Sequence, residues 1–295
     1  MANDAPLPRP AAGAAAPAAG VAAGSSAAPP PVVEFRNVSK DFQRGGRRSV
    51  AIQDVSFVVE DLPQQGELIT ILGPSGCGKS TVLRLIAGLE PHFPPTAGEV
   101  RVAGMAVTGP GADRGMVFQD YTSYPNRSVL GNVEFGLEIK GVPPGERRSL
   151  AESWIVKVGL AGHEKKYPHE LSGGMRQRVA IARTLVMHPR IILMDEPFGA
   201  LDPEVRYSMQ ALLIELWRSI EATVFFVTHS IMEAVYLGDR VFVMQANPGR
   251  LVETMQLPRP HATPQEMEAR PEFQEMVVRL KSKIHGAKAA AAARG

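Results

Sequence analysis

The sequence predicts an α/β fold: a core parallel sheet covered by helices, a small antiparallel β region and an inserted helical subdomain. Three continuous apolar runs, at 68–72, 191–194 and 224–227, are typical of strands buried on both faces of a parallel sheet. Helix-compatible segments lie between these runs. Residues 143–190 contain helix formers and no comparable β run. We therefore expect the helical subdomain in this part of the chain, at about 120–180.

Short β-rich segments punctuated by Gly or Pro predict the antiparallel region. They lie at 32–35, 56–59 and 98–102. The first buried run, 68–72, ends in a glycine loop, and a helix-compatible stretch from Ser80 to Leu89 follows it. A strand, a glycine loop and a helix in this order belong to the core of the predicted fold.

The composition excludes several classes of protein. Of 295 residues, 44% are hydrophobic and 21% are charged, as in a folded protein. The net charge of +2 argues against a strongly basic nucleic-acid-binding protein. A single cysteine excludes an intrachain disulfide, and no apolar run approaches the roughly 18 residues of a membrane span. The expected location is therefore the cytoplasm, with any membrane role exerted through a partner.

The two ends of the chain differ in composition from its middle. Residues 1–31 contain 13 Ala and 7 Pro, which predicts a disordered arm. The main domain is expected at 32–255. Residues 256–295 are predicted to form a C-terminal extension, with a short amphipathic helix at 270–284 and a frayed Ala-rich tail after Lys288.

A glycine-rich loop follows the first buried strand. It matches the phosphate-loop pattern G-x-x-x-x-G-K-[ST] with the run Gly73-Pro74-Ser75-Gly76-Cys77-Gly78-Lys79-Ser80-Thr81. Glycines let backbone N–H groups turn inward around an anion, and the helix N-terminus adds its dipole. Lys79 supplies a point charge for the β- and γ-phosphates, and Ser80 supplies a hydroxyl for Mg²⁺. The loop therefore predicts a nucleotide-phosphate site.

Cys77 lies inside this loop, and two interpretations of it are open. In one it is a small filler residue without a redox role. In the other, the helix N-terminus and Lys79 stabilise its thiolate.

A second apolar strand ends in two carboxylates, Asp195 and Glu196. A strand-end Asp beside a phosphate loop holds Mg²⁺, here through water. Glu196 is then placed to orient and deprotonate a water that attacks the γ-phosphate. The alternative is a solvated strand end. It is disfavoured because the run is apolar, follows a phosphate loop and leads into the segment 197–202.

A third motif, Ser172-Gly173-Gly174, opens a predicted helix before that strand. Ser172 can cap the helix and donate to phosphate, while the glycines let the backbone approach closely. A simple helix cap is the alternative interpretation. One nucleotide does not need two phosphate cradles in one chain, so the pair indicates a site that a second subunit completes.

Together these motifs resemble the ATP-binding cassette (ABC) ATPase subunits. In the family's order they are the phosphate loop 73–81, Gln119 in Val117-Phe118-Gln119-Asp120, the signature 171–175, the Walker B strand 191–196, the loop Ala200-Leu201-Asp202, and His229 in Thr228-His229-Ser230. The spacings also fit, with Ser172 23 residues before Asp195 and His229 33 residues after Glu196. The resemblance covers about 32–284. It implies a RecA-like P-loop ABC ATPase core, with ATP and Mg²⁺ as its ligands.

The resemblance also implies roles for single residues within the subunit. Phe42 is expected to stack on adenine, with a packed strand aromatic as the alternative. Gln119 is expected to touch Mg²⁺ or the attacking water and to report the position of the permease. His229 is expected to hydrogen-bond the γ-phosphate and fix the water; taken alone it would more often be a surface or core histidine.

Other residues are implied to act across a dimer. Ser172 and Gly174 are expected to contact the γ-phosphate of the other subunit's ATP, and Asp202 to bridge the interface. Two copies of the chain, or this chain and a paralogue, would thus sandwich two ATP molecules head to tail.

Further segments are similar to the nitrate/sulfonate/taurine import family, at 114–119, 132–137, 248–250 and 257–260. This likeness implies an importer ATPase that drives a separate integral membrane permease, with a solute-binding protein as an indirect partner. The expected location is the cytoplasmic face of the inner membrane, as a peripheral subunit. Asn126 departs from this family's pattern, near the expected permease contact, where Trp is frequent.

Two other functions stay open. One is an ABC exporter ATPase with a separate permease, which the import-like segments disfavour. The other is a soluble ABC ATPase that acts on nucleic acid. Such proteins carry long coiled-coil insertions or two tandem cassettes, and this sequence shows neither. We therefore expect no nucleic-acid partner.

Overall fold

A computed structural model describes residues 29–62, 65–120 and 122–292. Of the arm that is predicted to be disordered at 1–31, residues 1–28 lie outside the described residues. The last three residues of the predicted tail, 293–295, also lie outside them.

The described residues form ten strands and eight α-helices. In order, the described residues form β1 (Val33–Arg44), β2 (Arg47–Val59), β3 (Leu68–Leu72), α1 (Lys79–Ala87), β4 (Ala97–Val102), β5 (Met105–Ala106), β6 (Arg114–Val117), α2 (Val129–Ile139), α3 (Pro144–Lys157), α4 (Gly173–Leu185), β7 (Ile191–Asp195), α5 (Pro203–Arg218), β8 (Thr223–Thr228), α6 (Ile231–Leu237), β9 (Arg240–Gln245), β10 (Arg250–Gln256), α7 (Pro264–Glu268) and α8 (Pro271–Ala292). A 3-10 turn at Pro168–Glu170 precedes α4.

The strands form two sheets. The core sheet has the order β10-β9-β3-β8-β7-β6, and its members pair in parallel except for the antiparallel edge pair β9–β10. The second sheet is antiparallel throughout, with the order β2-β1-β4-β5. The predicted α/β class, the buried parallel strands and the antiparallel region are confirmed.

The three central strands of the core sheet are buried on both faces. Every residue of β3, β7 and β8 is buried, which explains their continuous apolar runs. Alternate residues belong to different hydrophobic clusters: Ile191 and Leu193 face the antiparallel sheet and α1, while Ile192 and Met194 face α4 and α5. The period of two thus places a packed layer on each side of the sheet.

Helices α2, α3 and α4 pack on one another in the stretch where the sequence predicts helices. Trp154 and Ile155 of α3 are buried in the same cluster as Val179 and Ile181 of α4. The signature helix α4 therefore joins the helical part to the core sheet. The domain limits at 32–255 and about 120–180 stay predictions.

The C-terminal extension is more ordered than the sequence predicts. It contains two helices, α7 and α8, and α8 continues through the alanine run to Ala292. Alanine has the highest intrinsic helix propensity, so this run extends the helix that packing begins. The frayed tail expected after Lys288 stays a prediction. None of the helices in the described ranges has the length and apolarity needed to cross a membrane.

Candidate functional site

The phosphate loop connects the end of β3 to the start of α1. Gly78 takes the left-handed conformation, with φ of 92°. A Cβ at this position would collide with Ile52 Cγ2 and lie 2.9 Å from the Ala51 carbonyl oxygen. Only glycine fits, so the loop turns sharply into the helix. No side chain caps the N-terminus of α1, whose first N–H groups are therefore available to an anion.

Lys79 lies beneath this loop with a side chain that is 4% exposed. Its Nζ donates to the carbonyl oxygens of Gly73 at 2.9 Å and Pro74 at 3.2 Å. It also lies 3.6 Å from Glu196 Oε1. A buried ammonium needs such partners, and a phosphate oxygen could replace them.

Ser80 and Asp195 meet at the junction of α1 and β7. Ser80 Oγ donates to Asp195 Oδ1 at 2.7 Å, and Arg84 Nη2 lies 3.7 Å from Asp195 Oδ2. Burial raises the pKa of the Asp195 carboxyl above its ordinary value, although Ser80 and Arg84 act in the opposite direction. The site therefore favours a further positive charge beside Asp195.

The oxygen donors at this junction suit Mg²⁺. A hydroxyl and one carboxylate are hard ligands, and Mg²⁺ is usually bound by one or two carboxylates together with waters and phosphate oxygens. Within the described ranges, no group of three or more His, Cys, Asp or Glu side chains could hold a metal. A site that depends on substrate phosphate fits both observations.

Glu196 follows Asp195 in a strained backbone conformation. Its φ of 45° is unusual for a residue with a side chain. The Glu196 N–H donates to the Val227 carbonyl at 3.1 Å, which fixes the turn against β8. Glu196 Oε2 lies 2.9 Å from His229 Nδ1. The carboxylate is thus held between the Lys79 ammonium and the imidazole.

Gln119 lies near the same edge of the core sheet. Its Nε2 is 3.7 Å from the position of a Cβ built on Gly199, and Glu196 Cβ is 3.9 Å from that point. The structure therefore brings together Lys79, Ser80, Asp195, Glu196, His229 and Gln119.

The chain beyond Gln119 is attached to the helical part. Arg183 of α4 donates to the Thr122 carbonyl at 2.7 Å and to Thr122 Oγ1 at 2.9 Å. The buried Asn132 of α2 bonds the backbone N–H and carbonyl of Tyr124. The segment 122–124 is therefore anchored to helices α2 and α4.

The signature residues lie apart from this group. Ser172 is exposed and caps α4 by accepting from the Met175 N–H at 3.3 Å. A Cβ on Gly174 would lie 2.7 Å from Val205 Cγ1, so glycine allows α4 to begin close to α5. In the described part of the chain, no hydrogen bond or ion pair joins Ser172 or Gly174 to the phosphate loop. They border an open cavity of about 500 Å³.

Asp202 caps the neighbouring helix α5. Its side chain accepts from the Val205 N–H at 3.1 Å, and the residue is exposed. The bridging role across a dimer stays a prediction.

Phe42 and Cys77 are the two remaining predicted residues for which sequence reasoning left alternatives open. The partly exposed Phe42 ring meets the His92 ring edge to face, with centroids 5.1 Å apart. Cys77 is fully buried, and burial raises the pKa of its thiol despite the nearby Lys79 ammonium. The structure thus favours the filler interpretation of Cys77 over the stabilised thiolate.

Sequence reasoning missed two charged residues near the site. Arg84, which contacts Asp195, lies one turn beyond Ser80 on α1 and was not singled out. Glu233 of α6 is buried and bonds Thr228, the residue before His229. The pattern Ser230-x-x-Glu233 resembles a capping box, which was the available signal for Glu233.

Comparison with known proteins places these features in context. The profile of the ABC transporter family matches residues 52–199. An uncharacterised ABC transporter ATP-binding protein of Methanocaldococcus jannaschii is 52% identical over 76% of this chain and 82% of its own length. The nitrate import ATP-binding protein NrtD of Synechocystis is 44% identical over 80% of this chain and 89% of its own. The taurine import ATP-binding protein TauB of Escherichia coli is 45% identical over 70% of this chain and 78% of its own length.

The fold also matches a solved structure. A dimeric ATP-binding cassette, in a post-hydrolysis state bound to ADP and Pi, superposes with a TM-score of 0.67. It is 33% identical, and the match covers 77% of this chain and 99% of the cassette. The predicted cassette fold and the resemblance drawn from the motifs are confirmed.

Proposed function

The chain belongs to the ABC transporter family of ATP-binding subunits and is an ABC ATPase, and we propose that it energises solute import through a separate membrane permease. The convergence of Lys79, Ser80, Asp195, Glu196 and His229 at one sheet edge carries the proposal of a working ATP site. Import is supported by the 44% and 45% identity to nitrate and taurine import ATP-binding proteins. A nitrate, sulfonate or taurine-like solute is the finer proposal, with specificity set by the permease and a solute-binding protein.

The phosphate loop binds the ATP phosphates in this proposal. The N–H groups at the start of α1 and the loop backbone surround the anion, and Lys79 exchanges its two carbonyl partners for phosphate oxygens. Phe42 stacks on the adenine ring. The ring is partly exposed, with the His92 ring edge to face and the Lys40 ammonium 5.5 Å from its centroid.

Ser80 and Asp195 would hold Mg²⁺, with Gln119 close by. When bound, Mg²⁺ neutralises charge on the β- and γ-phosphate oxygens. The raised pKa of the Asp195 carboxyl supports this assignment, because a buried carboxyl of that kind favours a nearby cation.

Glu196 is the general base. It takes a proton from water as the water oxygen bonds to the γ-phosphorus, while the bond to the bridging oxygen breaks to give ADP and phosphate. His229, 2.9 Å from Glu196, is exposed on its other side and is available to the γ-phosphate. The carboxylate is carried on a strained backbone, with φ of 45° at Glu196.

A second subunit completes each site. Ser172 and Gly174 lie at the exposed start of α4, away from the phosphate loop of their own chain. We assign them to the γ-phosphate of the partner's ATP, with Asp202 at the interface. The dimeric cassette with bound ADP and Pi supports this arrangement, because its fold matches this chain. Closure of the dimer would then move the permease through Gln119 and the segment attached to α2 and α4.

Reconstitution tests the import proposal directly. The chain is isolated together with its permease, and the complex is placed in proteoliposomes. Mg-ATP is enclosed in the lumen, and the solute is added outside. ATP-dependent uptake of nitrate, a sulfonate or taurine is expected, and the same preparation carrying Glu196→Gln should transport nothing. ATP-driven movement in the outward direction would favour the exporter alternative. ATPase activity that nucleic acid stimulates and the permease does not would favour the soluble alternative.

A further inference from the structure

Glu233 is a buried carboxylate to which the proposed chemistry gives no role. It lies on α6 and is 7% exposed. Its Oε2 accepts from Thr228 Oγ1 at 2.5 Å, and its Oε1 accepts from Gln210 Nε2 at 3.2 Å. Arg206 Nε lies 3.8 Å from Oε1, outside hydrogen-bond distance. A buried carboxylate that is only loosely paired is costly, so its presence needs an explanation.

Helix capping does not explain the position of Glu233. In a capping box its side chain would accept from the Ser230 N–H. Here the Ser230 N–H donates to Thr228 Oγ1 at 2.9 Å, and the Thr228 hydroxyl in turn donates a hydrogen bond to Glu233. Thr228 is thus held from both sides. Because His229 lies between Thr228 and Ser230, this arrangement fixes the backbone that carries the imidazole.

The other partners of Glu233 belong to α5, the helix that Asp202 caps. Gln210 and Arg206 both lie on it. Arg206 Nη2 donates to the Leu201 carbonyl at 2.9 Å, so Arg206 bridges the loop 200–202 and Glu233. Its Nε has no hydrogen-bond partner in the described part of the chain, although it is buried. A small shift of α5 towards α6 would satisfy this donor and strengthen the ion pair.

We propose that Glu233 is a positioning residue that couples the loop 200–202 to His229. The proposal rests on the ATPase function above and extends it. When the partner subunit moves this loop, Arg206 and Gln210 carry the displacement to Glu233, and Thr228 carries it to His229. The imidazole, which lies 2.9 Å from Glu196 in the single chain, is then turned towards the γ-phosphate only when the loop is correctly placed. A carboxylate suits this role because its two oxygens accept at once from Thr228, at the end of β8, and from Gln210 of α5.

Steady-state ATPase assays of Glu233→Ala and Glu233→Gln test the coupling. We expect kcat to fall about 10- to 100-fold in the alanine variant, the size of effect that misplacement of a catalytic group produces. The KM for ATP should change less than about threefold, because the phosphate loop is not part of this network. The glutamine variant keeps the Thr228 contact as an acceptor and should lie between alanine and wild type. Glu215→Ala, a change at an exposed position of α5, is the matched control.

A double-mutant cycle with His229→Ala separates positioning from general destabilisation. If Glu233 acts through His229, Glu233→Ala should cost little further activity once His229 is absent. Equal losses in both backgrounds, or wild-type kcat in Glu233→Ala, would overturn the proposal. Thr228→Val, which keeps the shape and removes the hydroxyl, should lower kcat in the same manner and provides a second readout if Glu233→Ala folds poorly. Wild-type protein without ATPase activity would instead refute the proposed function.

Discussion

At the scale of single residues, the buried Lys79 ammonium provides the sharpest test of the phosphate site. Its bonds to two loop carbonyls hold it where a phosphate oxygen would compete for it. Lys79→Ala should weaken ATP binding at least about tenfold and abolish hydrolysis, because a charge-assisted contact contributes more than about 1.4 kcal/mol. Equilibrium binding of a fluorescent ATP analogue measures this. Lys165→Ala, at an exposed position, is the matched control, and tight binding by Lys79→Ala would exclude the assignment.

The Glu196 carboxylate is expected to affect turnover rather than binding. Glu196→Gln keeps the size of the side chain and the contact with His229, but it removes the base. Turnover should fall by about 10² to 10⁴, as for other general bases, while ATP binding is retained. ATP should then accumulate in a stable dimer. Steady-state ATPase assays and gel filtration with Mg-ATP measure both effects, and near-normal turnover would show that another group accepts the proton.

His92 predicts a pH dependence of folding stability. Burial, with smaller contributions from the Arg84 and Lys40 charges, lowers its pKa from 6.5 to about 4. Between those values the unfolded chain binds more protons at this position, so the free energy of unfolding should fall as pH drops from 6.5 towards 4. His92→Asn should reduce the difference in stability between pH 7 and pH 5, measured by urea denaturation. Exposed His261→Asn is the control, and equal pH dependence in all three proteins would contradict the prediction.

At the scale of elements, helix α8 is held by one buried face. Phe273, Val277 and Leu280 are at most 1% exposed and follow helical spacing, whereas Val278 is 59% exposed. Leu280→Ala should lower the free energy of unfolding by about 2–5 kcal/mol, because it removes methylene groups and leaves a cavity. Val278→Ala should change it by less than about 1 kcal/mol. Similar urea midpoints for the two variants would show that α8 does not dock on the core.

The core strands were the elements that the sequence predicted best. The run 68–72 predicted β3 with its observed limits. A strand that is buried on both faces forms a continuous apolar run, and such a run is easy to distinguish from a polar loop. Helix α1 begins at Lys79 rather than Ser80, since the left-handed Gly78 ends the loop one residue earlier. The local motifs likewise predicted which residues meet at the sheet edge.

Contacts between distant elements were not predictable in the same way. Glu233 bonds Gln210, which is 23 residues away, and no local pattern encodes that pairing. Its three-residue spacing from Ser230 predicts a cap, whereas tertiary packing directs the carboxylate to Thr228. Arg84 contacts Asp195 across more than a hundred residues for the same reason. Such side chains become recognisable only after the sheet order is known.

At the scale of the whole molecule, the chain presents two motifs that we propose to bind phosphate, and they do not meet within one chain. The phosphate loop follows β3 in the core sheet, while the exposed Ser172 begins α4 beside α5. Both offer N–H groups at a helix start, and both would be attracted to the same anion. A head-to-tail dimer is the closed arrangement in which each motif of one chain faces the other motif of its partner. ATP bound between them would stabilise that dimer through mass action.

Mixed dimers distinguish this shared site from a site within one chain. Two differently tagged chains are purified together, one carrying Lys79→Ala and the other Ser172→Arg. Both lesions then fall on one shared site and the other stays intact, so measurable ATPase activity should remain. When a single chain carries both substitutions and its partner is wild type, each shared site has one lesion, and activity should be much lower. A site contained within one chain predicts the reverse order, because the wild-type partner would then keep an intact site. Equal activity in the two arrangements, or hydrolysis by a strict monomer, would exclude the shared site.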